Sequence, residues 1–340
     1  VIKELPEKLS LSVCIFYLVL RALDTIEDDM NLEKFKFENL KDNECYNPLQ
    51  NKDKILRQFF TILEQDYNPI LIRAIETSNI GEKYERDLLK NIHIIIKVYH
   101  SLPLCNKKII LNICKKMGEG MAAYIHKDLS QGTKSLTEYN NYCYTVAGLV
   151  GEGLSAQFYE SKLENSQFLI QKGINSLSSQ MGMFLQKTNI IRDYYEDLID
   201  NRAWWPEEIW GLFIPENQSP KLSLFLSKNS QRIACLNALI CDALSHATKS
   251  LEYLQKIKNK DIFRFCAIPQ VMAIMTLELL YSNPNVFKGK VKISKLSAIH
   301  GIMNSHNFSN VYKLFAKSAT NILNKTYNKE LIKNCKDIIY

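Results

Sequence analysis

Residues 21–30 read RALDTIEDDM and follow the apolar run CIFYLVL, so Asp24, Glu27, Asp28 and Asp29 crowd within six positions. On a helix, Asp24 and Asp28 stand four apart and Glu27 three from Asp24, so these three carboxylates share a face on which like charges repel. A second cluster lies in MGMFLQKTNIIRDYYED, residues 181–197. There Gln186, Asn189, Asp193 and Asp197 recur at spacings of three, four and four, which makes one stripe of a helix. Met181, Phe184, Leu185, Ile190 and Ile191 occupy the other faces, predicting a largely buried helix whose polar line borders a cavity.

Either cluster alone reads as a solvated helix face, because i,i+4 repulsion costs only about 0.2–0.5 kcal/mol per pair. Two clusters, each in an apolar helix and each beside an arginine (Arg21, Arg192), read differently, since buried charges must be paired or bind metal. Hard oxygen ligands suit Mg²⁺, which keeps several waters and shares its shell with substrate phosphates. The residues by themselves therefore point to a metal-assisted enzyme that holds a diphosphate between two carboxylate walls.

The elements that must carry these walls are helical. With 46% hydrophobic residues, 340 positions can bury a large core. Only 12 Gly and 9 Pro interrupt it, which favours long helices. Apolar positions at helical spacing recur at about 7–28, 53–65, 82–100, 105–126, 135–160, 166–199, 220–257, 264–282 and 305–323. The breaks between them are short, which predicts one all-α bundle over residues 1–340 rather than two domains. Nine cysteines without a CxxC suit reduced, buried thiols of an intracellular protein rather than a disulfide framework or zinc site. The net charge of +7 forms no tail and is densest at KGKVKISK (288–295), so anionic ligands fit better than a nucleic-acid partner. The longest stretch free of Lys, Arg, Asp and Glu, residues 296–312, holds three Asn, three Ser and two His, so no segment is expected to span a bilayer. No secretory signal opens the sequence, and its start at Val1 suggests a fragment.

Six segments in order, FYLVLRALDTIEDDM, YCYTVAGLVGEGLS, MGMFLQKTNIIRDYYED, RAWWPEEIW, FRFCAIPQVMA and VFKGKVKI, resemble those of the eukaryotic squalene synthase family. Phytoene and dehydrosqualene synthases share the paired acidic signature, whereas FCAIPQVMA and VFKGKVKI are particular to squalene synthases. The resemblance implies a class I isoprenoid-synthase helical bundle with a central cavity. It also implies head-to-head joining of two farnesyl diphosphates into presqualene diphosphate, then reduction by NADPH to squalene for sterol biosynthesis. Asp24, Glu27 and Asp28 would hold Mg²⁺ from one wall, and Asp193 with Asp197 from the other. Mg²⁺, Arg21 and Arg192 would then stabilise charge on the departing diphosphate.

Tyr142 matches the tyrosine that the family uses in proton transfer during the first half-reaction. Phe265 matches an aromatic of the second-stage pocket, where a ring face stabilises a cation without trapping it. Arg202 reads either as a phosphate contact or as an ordinary surface arginine. Toward NADPH the family's contacts map to Arg21, Arg192, Lys292 and position 294, where Ser294 replaces an arginine. Thr145 replaces a second tyrosine. The family's upstream Ser-Arg-Ser-Phe segment and C-terminal membrane anchor have no counterpart in this sequence, so attachment to the cytosolic face of the endoplasmic reticulum would come from outside it. A monomer is expected. Two other readings stay open: a relative that stops at presqualene diphosphate, dehydrosqualene or phytoene, and a non-catalytic interaction protein on the same frame. Intact acidic motifs weigh against the latter, because buried like charges without metal cost stability.

Overall fold

The structure, a computed structural model, describes residues 2–35, 48–64, 68–200, 202–214 and 229–340; among these there are seventeen α-helices and no strand. The first half holds α1 (Glu7–Asp28), α2 (Pro48–Gln58), α3 (Pro69–Thr77), α4 (Lys83–Lys90), α5 (Ile92–Ser101), α6 (Leu104–Ile125), α7 (Leu136–Cys143) and α8 (Leu149–Glu160). The second half holds α9 (Leu177–Arg192), α10 (Tyr194–Ile199), α11 (Glu207–Trp210), α12 (Asn229–Leu244), α13 (Ala247–Lys256), α14 (Lys260–Leu280), α15 (Lys295–Met303), α16 (Phe308–Leu323) and α17 (Lys329–Ile339).

The all-α expectation is met, with three kinds of departure. The apolar pattern at 82–100 is two helices divided at Asn91, and that at 135–160 is interrupted by a π-helical turn, Tyr144–Gly148. The pattern at 166–199 is a short 3-10 turn, then α9 and α10. Helices α3, α11, α15 and α17 lie outside the expected spans. Residues 65 and 220–228 of those spans, Asn201 and Cys45 fall outside the described residues. The other eight cysteines are free thiols, six of them buried.

Two apolar cores flank the middle of the bundle. Helix α1 feeds both: Leu9 and Val13 enter one, while Phe16, Val19, Leu23 and Ile26 enter the other. Tyr144, Val146 and Leu154, in and just after the π turn, pack against both cores. By length and composition α1 and α14 could each cross a bilayer, contrary to the expectation that no segment would, yet both bury most of their apolar window inside the bundle. Helix α1 stops at Asp29, whose extended backbone (ψ 104°) leaves the last carbonyls without helical partners. Buried Lys52 supplies them: its Nζ donates to the carbonyls of Glu27 at 2.6 Å and Asp29 at 3.0 Å.

Small residues bring the central helices close enough to share a cavity. A Cβ at Gly151 on α8 would meet the Ser178 carbonyl oxygen at 2.1 Å, and one at Gly182 on α9 would meet the Ala147 oxygen at 2.2 Å. Those are backbone atoms, which cannot yield as the far end of a side chain can. Gly182→Ala should therefore lower stability by about 1–3 kcal/mol through overpacking. Gly211→Ala should be neutral or slightly stabilising, since nothing lies within 4 Å of its Cβ and its φ of −59° is helical. Urea denaturation of both variants checks the contrast, and equal effects would contradict this packing.

Candidate active site

Helix α1 and the α9–α10 stripe border one cavity of about 450 Å³. Arg21, Asp24, Glu27 and Asp28 line it from α1. Gln186, Asn189, Arg192, Asp193 and Asp197 line it from α9 and α10, as their spacing predicts. The stripe survives the end of α9 because Asp193 accepts a backbone bond from Asp197 at 3.1 Å and donates one to Asn189 at 2.8 Å. Asp29, the remaining acid of the first motif, is engaged elsewhere, accepting from Lys34 Nζ at 2.7 Å and from the Gly81 amide at 2.8 Å.

Arg202 joins the two walls. Its guanidinium lies 3.0 Å from Asp28 and 3.7 Å from Glu27 on one side, and 3.5 Å from Asp197 on the other. The surface reading of this arginine is thereby corrected: its side chain is only 13% exposed. Its Nε and Nη1 are buried without a hydrogen-bond acceptor among the described residues. Arg192 grips Asp193 through two bonds, of 2.8 and 2.6 Å, and Lys290 approaches the same carboxylate at 3.1 Å. Arg21 pairs with Glu85 of α4.

These contacts split the carboxylates electrostatically. Burial pushes Asp24 well above the usual range, and repulsion from Asp28 and Glu27 adds to it. Burial and Asp28 raise Glu27 to about 7, and burial raises Asp197 to about 6 against the pull of Arg202. Asp193 goes the other way: burial opposes its ionisation, but Arg192 and Lys290 outweigh that and hold it low. Asp24 has no ion pair or hydrogen bond among the described residues. Ionised in that position, the carboxylate would call for a cation.

The donor set fits Mg²⁺ of a particular kind. All the ligand candidates are carboxylate oxygens, and among the described residues no three His, Cys, Asp or Glu groups converge into a closed metal shell. Mg²⁺ bound through one or two carboxylates needs no such closed shell, since water and phosphate complete it.

Tyr142 lies in the cavity wall, just before the π turn, and Trp204 stacks on it with ring centroids 3.5 Å apart at 14°. Burial and the neighbouring Glu27 raise its pKa well above that of a free phenol, so Tyr142 stays protonated at neutral pH. Phe265 lines a second chamber of about 630 Å³ with Val13, Phe16, Leu20, Met117 and Leu154. Arg21 and Asp24 border both chambers, so the apolar one opens beside the charged one. Pro269 on α14 also lines the apolar chamber and withholds the amide that would bond the Phe265 carbonyl.

The expected NADPH contacts do not come together. Arg21 and Arg192 face the acidic cavity, whereas Lys292 and Ser294 line a separate groove between α14, α15 and α16. Ser294 has a local task there as the N-cap of α15, accepting from the Ser297 amide at 3.0 Å. The four make no common cradle in this conformation.

Sequence reasoning undervalued Arg202 and missed Lys52, Glu85, Trp204 and Lys290 as parts of the site. The WW pair in RAWWP was the available signal for Trp204; Lys52 sits in a polar helix that carries none. Glu152 was also unmarked. It is 4% exposed and accepts from Tyr144 Oη at 3.0 Å, Ser179 Oγ at 3.0 Å and the Gly173 amide at 2.6 Å, which ties the π turn to α9.

A pH prediction follows from Glu27. Its folded pKa of about 7 exceeds the ordinary 4.5, so folding disfavours the ionised form; the penalty is full above pH 7 and vanishes as pH falls toward 4.5. Glu27→Gln mimics the protonated side chain. In chelator-treated protein it should melt higher than the parent at about pH 8, with the gap closing by about pH 5. A gap that instead opens on acidification would show ionised Glu27 to be net stabilising.

Comparison with known proteins shows the family. The squalene/phytoene synthase family profile matches residues 1–297. Squalene synthase of Schizosaccharomyces pombe is 42% identical over 97% of this chain, that of Cyberlindnera jadinii 39% over 96%, and that of Rattus norvegicus 37% over 97%. This chain spans 66%, 68% and 71% of those relatives, about two thirds of their length. A solved complex of TcSQS with the ligand BPH1237 superposes with a TM-score of 0.85 at 32% identity, covering 99% of this chain and 92% of that one. A dehydrosqualene synthase shares the fold at a TM-score of 0.55 and 18% identity, covering 89% and 88%. Matched over most of its length by that profile and by these relatives, the chain belongs to the squalene/phytoene synthase family.

Proposed function

We propose that this chain joins two farnesyl diphosphates head to head into presqualene diphosphate and converts that to squalene, with Mg²⁺ and NADPH as cofactors. The observation that carries this reading is the pair of chambers meeting at Arg21 and Asp24: one holds charge, the other is apolar. An allylic diphosphate has the same two halves.

Asp24, Glu27 and Asp28 would hold Mg²⁺ on the α1 wall, and Asp193 and Asp197 on the α9–α10 wall. When bound, the metal would neutralise charge developing on the leaving diphosphate. Arg202 supplies fixed positive charge between the walls, which would stabilise part of that charge. The farnesyl chains would lie against Phe16, Leu154 and Phe265, where the lining is mostly apolar and a cation meets ring faces. Protonated Tyr142 donates a hydrogen bond instead of accepting a proton, so the departed diphosphate serves as the base of the first half-reaction. Trp204 fixes the plane of the Tyr142 ring.

The dispersed NADPH contacts favour one alternative, a synthase that halts at presqualene diphosphate or passes to a hydrocarbon without reduction. We place the enzyme as a single-domain monomer at the cytosolic face of the endoplasmic reticulum, since its product is a hydrocarbon.

Incubation with farnesyl diphosphate and Mg²⁺, with and without NADPH, followed by identification of the lipids, separates these readings. Squalene only with NADPH supports the full reaction, accumulation of presqualene diphosphate in both supports the alternative, and no turnover sinks both. Asp24→Asn and Asp193→Asn should both abolish turnover; Asp24→Asn relieves a repulsive cluster and should keep the parental stability, whereas Asp193→Asn also gives up the pairs with Arg192 and Lys290 and should fold with a lower melting temperature. Tyr142→Phe should slow presqualene diphosphate formation by roughly 10–100-fold, the worth of one hydrogen bond to a charged group, with an unchanged pH profile. A lost acidic limb in that profile, the rise in rate as a base deprotonates, would instead make Tyr142 the base.

A further inference from the structure

We propose that the outer face of α15, with the lysine-lined groove beside it, is a docking surface for an anionic lipid bilayer. Helix α15 is fixed to the bundle by its opposite side. A Cβ at Gly301 would meet Met272 Cε at 2.5 Å and Val271 Cγ1 and Met275 Sδ at 3.2 Å, so this glycine lies flat on α14. That orientation sends Leu296, Ile299 and Met303 outward with exposures of 80%, 53% and 68%. Their spacing of three and four is that of a buried helix stripe, here left without a partner.

Charge identifies the occupant. From Leu279 to Lys329 the chain carries eight lysines and no aspartate or glutamate, against a net +7 for all 340 residues. Lys290 is occupied by Asp193 and Glu196. Lys292, Lys317 and Lys325 line the groove of about 960 Å³ together with Leu279, Leu296 and Leu314, and none of the three has an ion pair among the described residues. Glu278 also borders the groove, but Ser318 Oγ and Asn321 Nδ2, each at 2.6 Å, already hold its carboxylate. An apolar stripe flanked by lysines is what an interfacial helix presents: side chains enter the acyl boundary while ammonium groups meet lipid phosphates. The nine residues of α15 lie in the interface rather than cross it, and binding by so short a stripe is reversible. The surface is independent of the proposed reaction, although residues 290–292 join it to the rim of the acidic cavity.

Vesicle flotation tests this. The protein should co-float with phosphatidylcholine vesicles containing about 30% phosphatidylserine and not with pure phosphatidylcholine, and should be released as salt rises from ~0.1 to ~0.5 M. The triple variant Leu296→Ser, Ile299→Ser, Met303→Ser and the double variant Lys317→Glu, Lys325→Glu should each bind at least ~10-fold more weakly, at roughly 5-fold per lysine lost. Both should keep the parental melting temperature and the parental turnover of detergent-dispersed farnesyl diphosphate, which distinguishes lost docking from a damaged site. Failure of the parent protein to bind anionic vesicles overturns the proposal, as does undiminished binding by both variants. A dimer in light scattering that the triple variant dissolves, without vesicle binding, would assign the face to a second copy of the chain and equally overturn it.

Discussion

Carboxylates crowded around one cavity must be held apart from each other and close to cations, and much of the molecule is arranged to do so. Arg202 stands between the walls, Arg192 and Lys290 hold Asp193, and Arg21 is held by Glu85. Lys52, from a different helix, ties down the carbonyls where α1 ends, which fixes the height at which Glu27 and Asp28 enter the cavity. Asp24 is left over. A carboxylate beside two others, with no cation within 4 Å among the described residues, is a poor stabiliser.

The two walls are unequal, and that inequality suits the chemistry. On the α1 wall burial and mutual repulsion raise Asp24 and Glu27, so the empty site lowers its charge by taking up protons. On the opposite wall Asp193 is kept ionised by its cations. On the proposed reading, metal binding to the first wall would displace protons as well as water, and affinity there would rise with pH through the range in which Glu27 titrates. Tyr142 belongs to the same field: acids surround it, burial removes water, and the phenol is held neutral.

Close backbone contact is the second organising device. Gly151 lets α8 touch α9 and Gly182 lets α9 touch the π turn at Tyr144–Gly148, that turn shifts the register of the wall that carries Tyr142, and Glu152 fastens it to Ser179 at the start of α9. The result is a charged chamber and an apolar one that share Arg21 and Asp24, so a reactive carbon can sit at their boundary while its head and tail rest in different solvents.

What the sequence by itself determined is periodic and local. Helical spacing sufficed to place Asp24, Glu27 and Asp28 on one face and Gln186, Asn189, Asp193 and Asp197 on another, because i,i+3 and i,i+4 neighbours are set by the helix alone. Its motifs were enough to single out Tyr142 and Phe265. Only the tertiary structure decided what lies across the cavity. Arg202 follows a turn and has no periodic partner, so nothing local shows that it bridges Glu27, Asp28 and Asp197, some 170 residues away in the first case. Lys52 and Glu85 reach the site from helices whose own patterns are those of ordinary polar faces. Lys292 and Ser294 show the converse: their neighbours in sequence are those of a cofactor motif, but α15 begins at Lys295 and takes Ser294 as its cap, which turns that stretch toward another groove. Spacing along a helix is fixed by backbone geometry, whereas the partner across a gap is fixed by how helices pack.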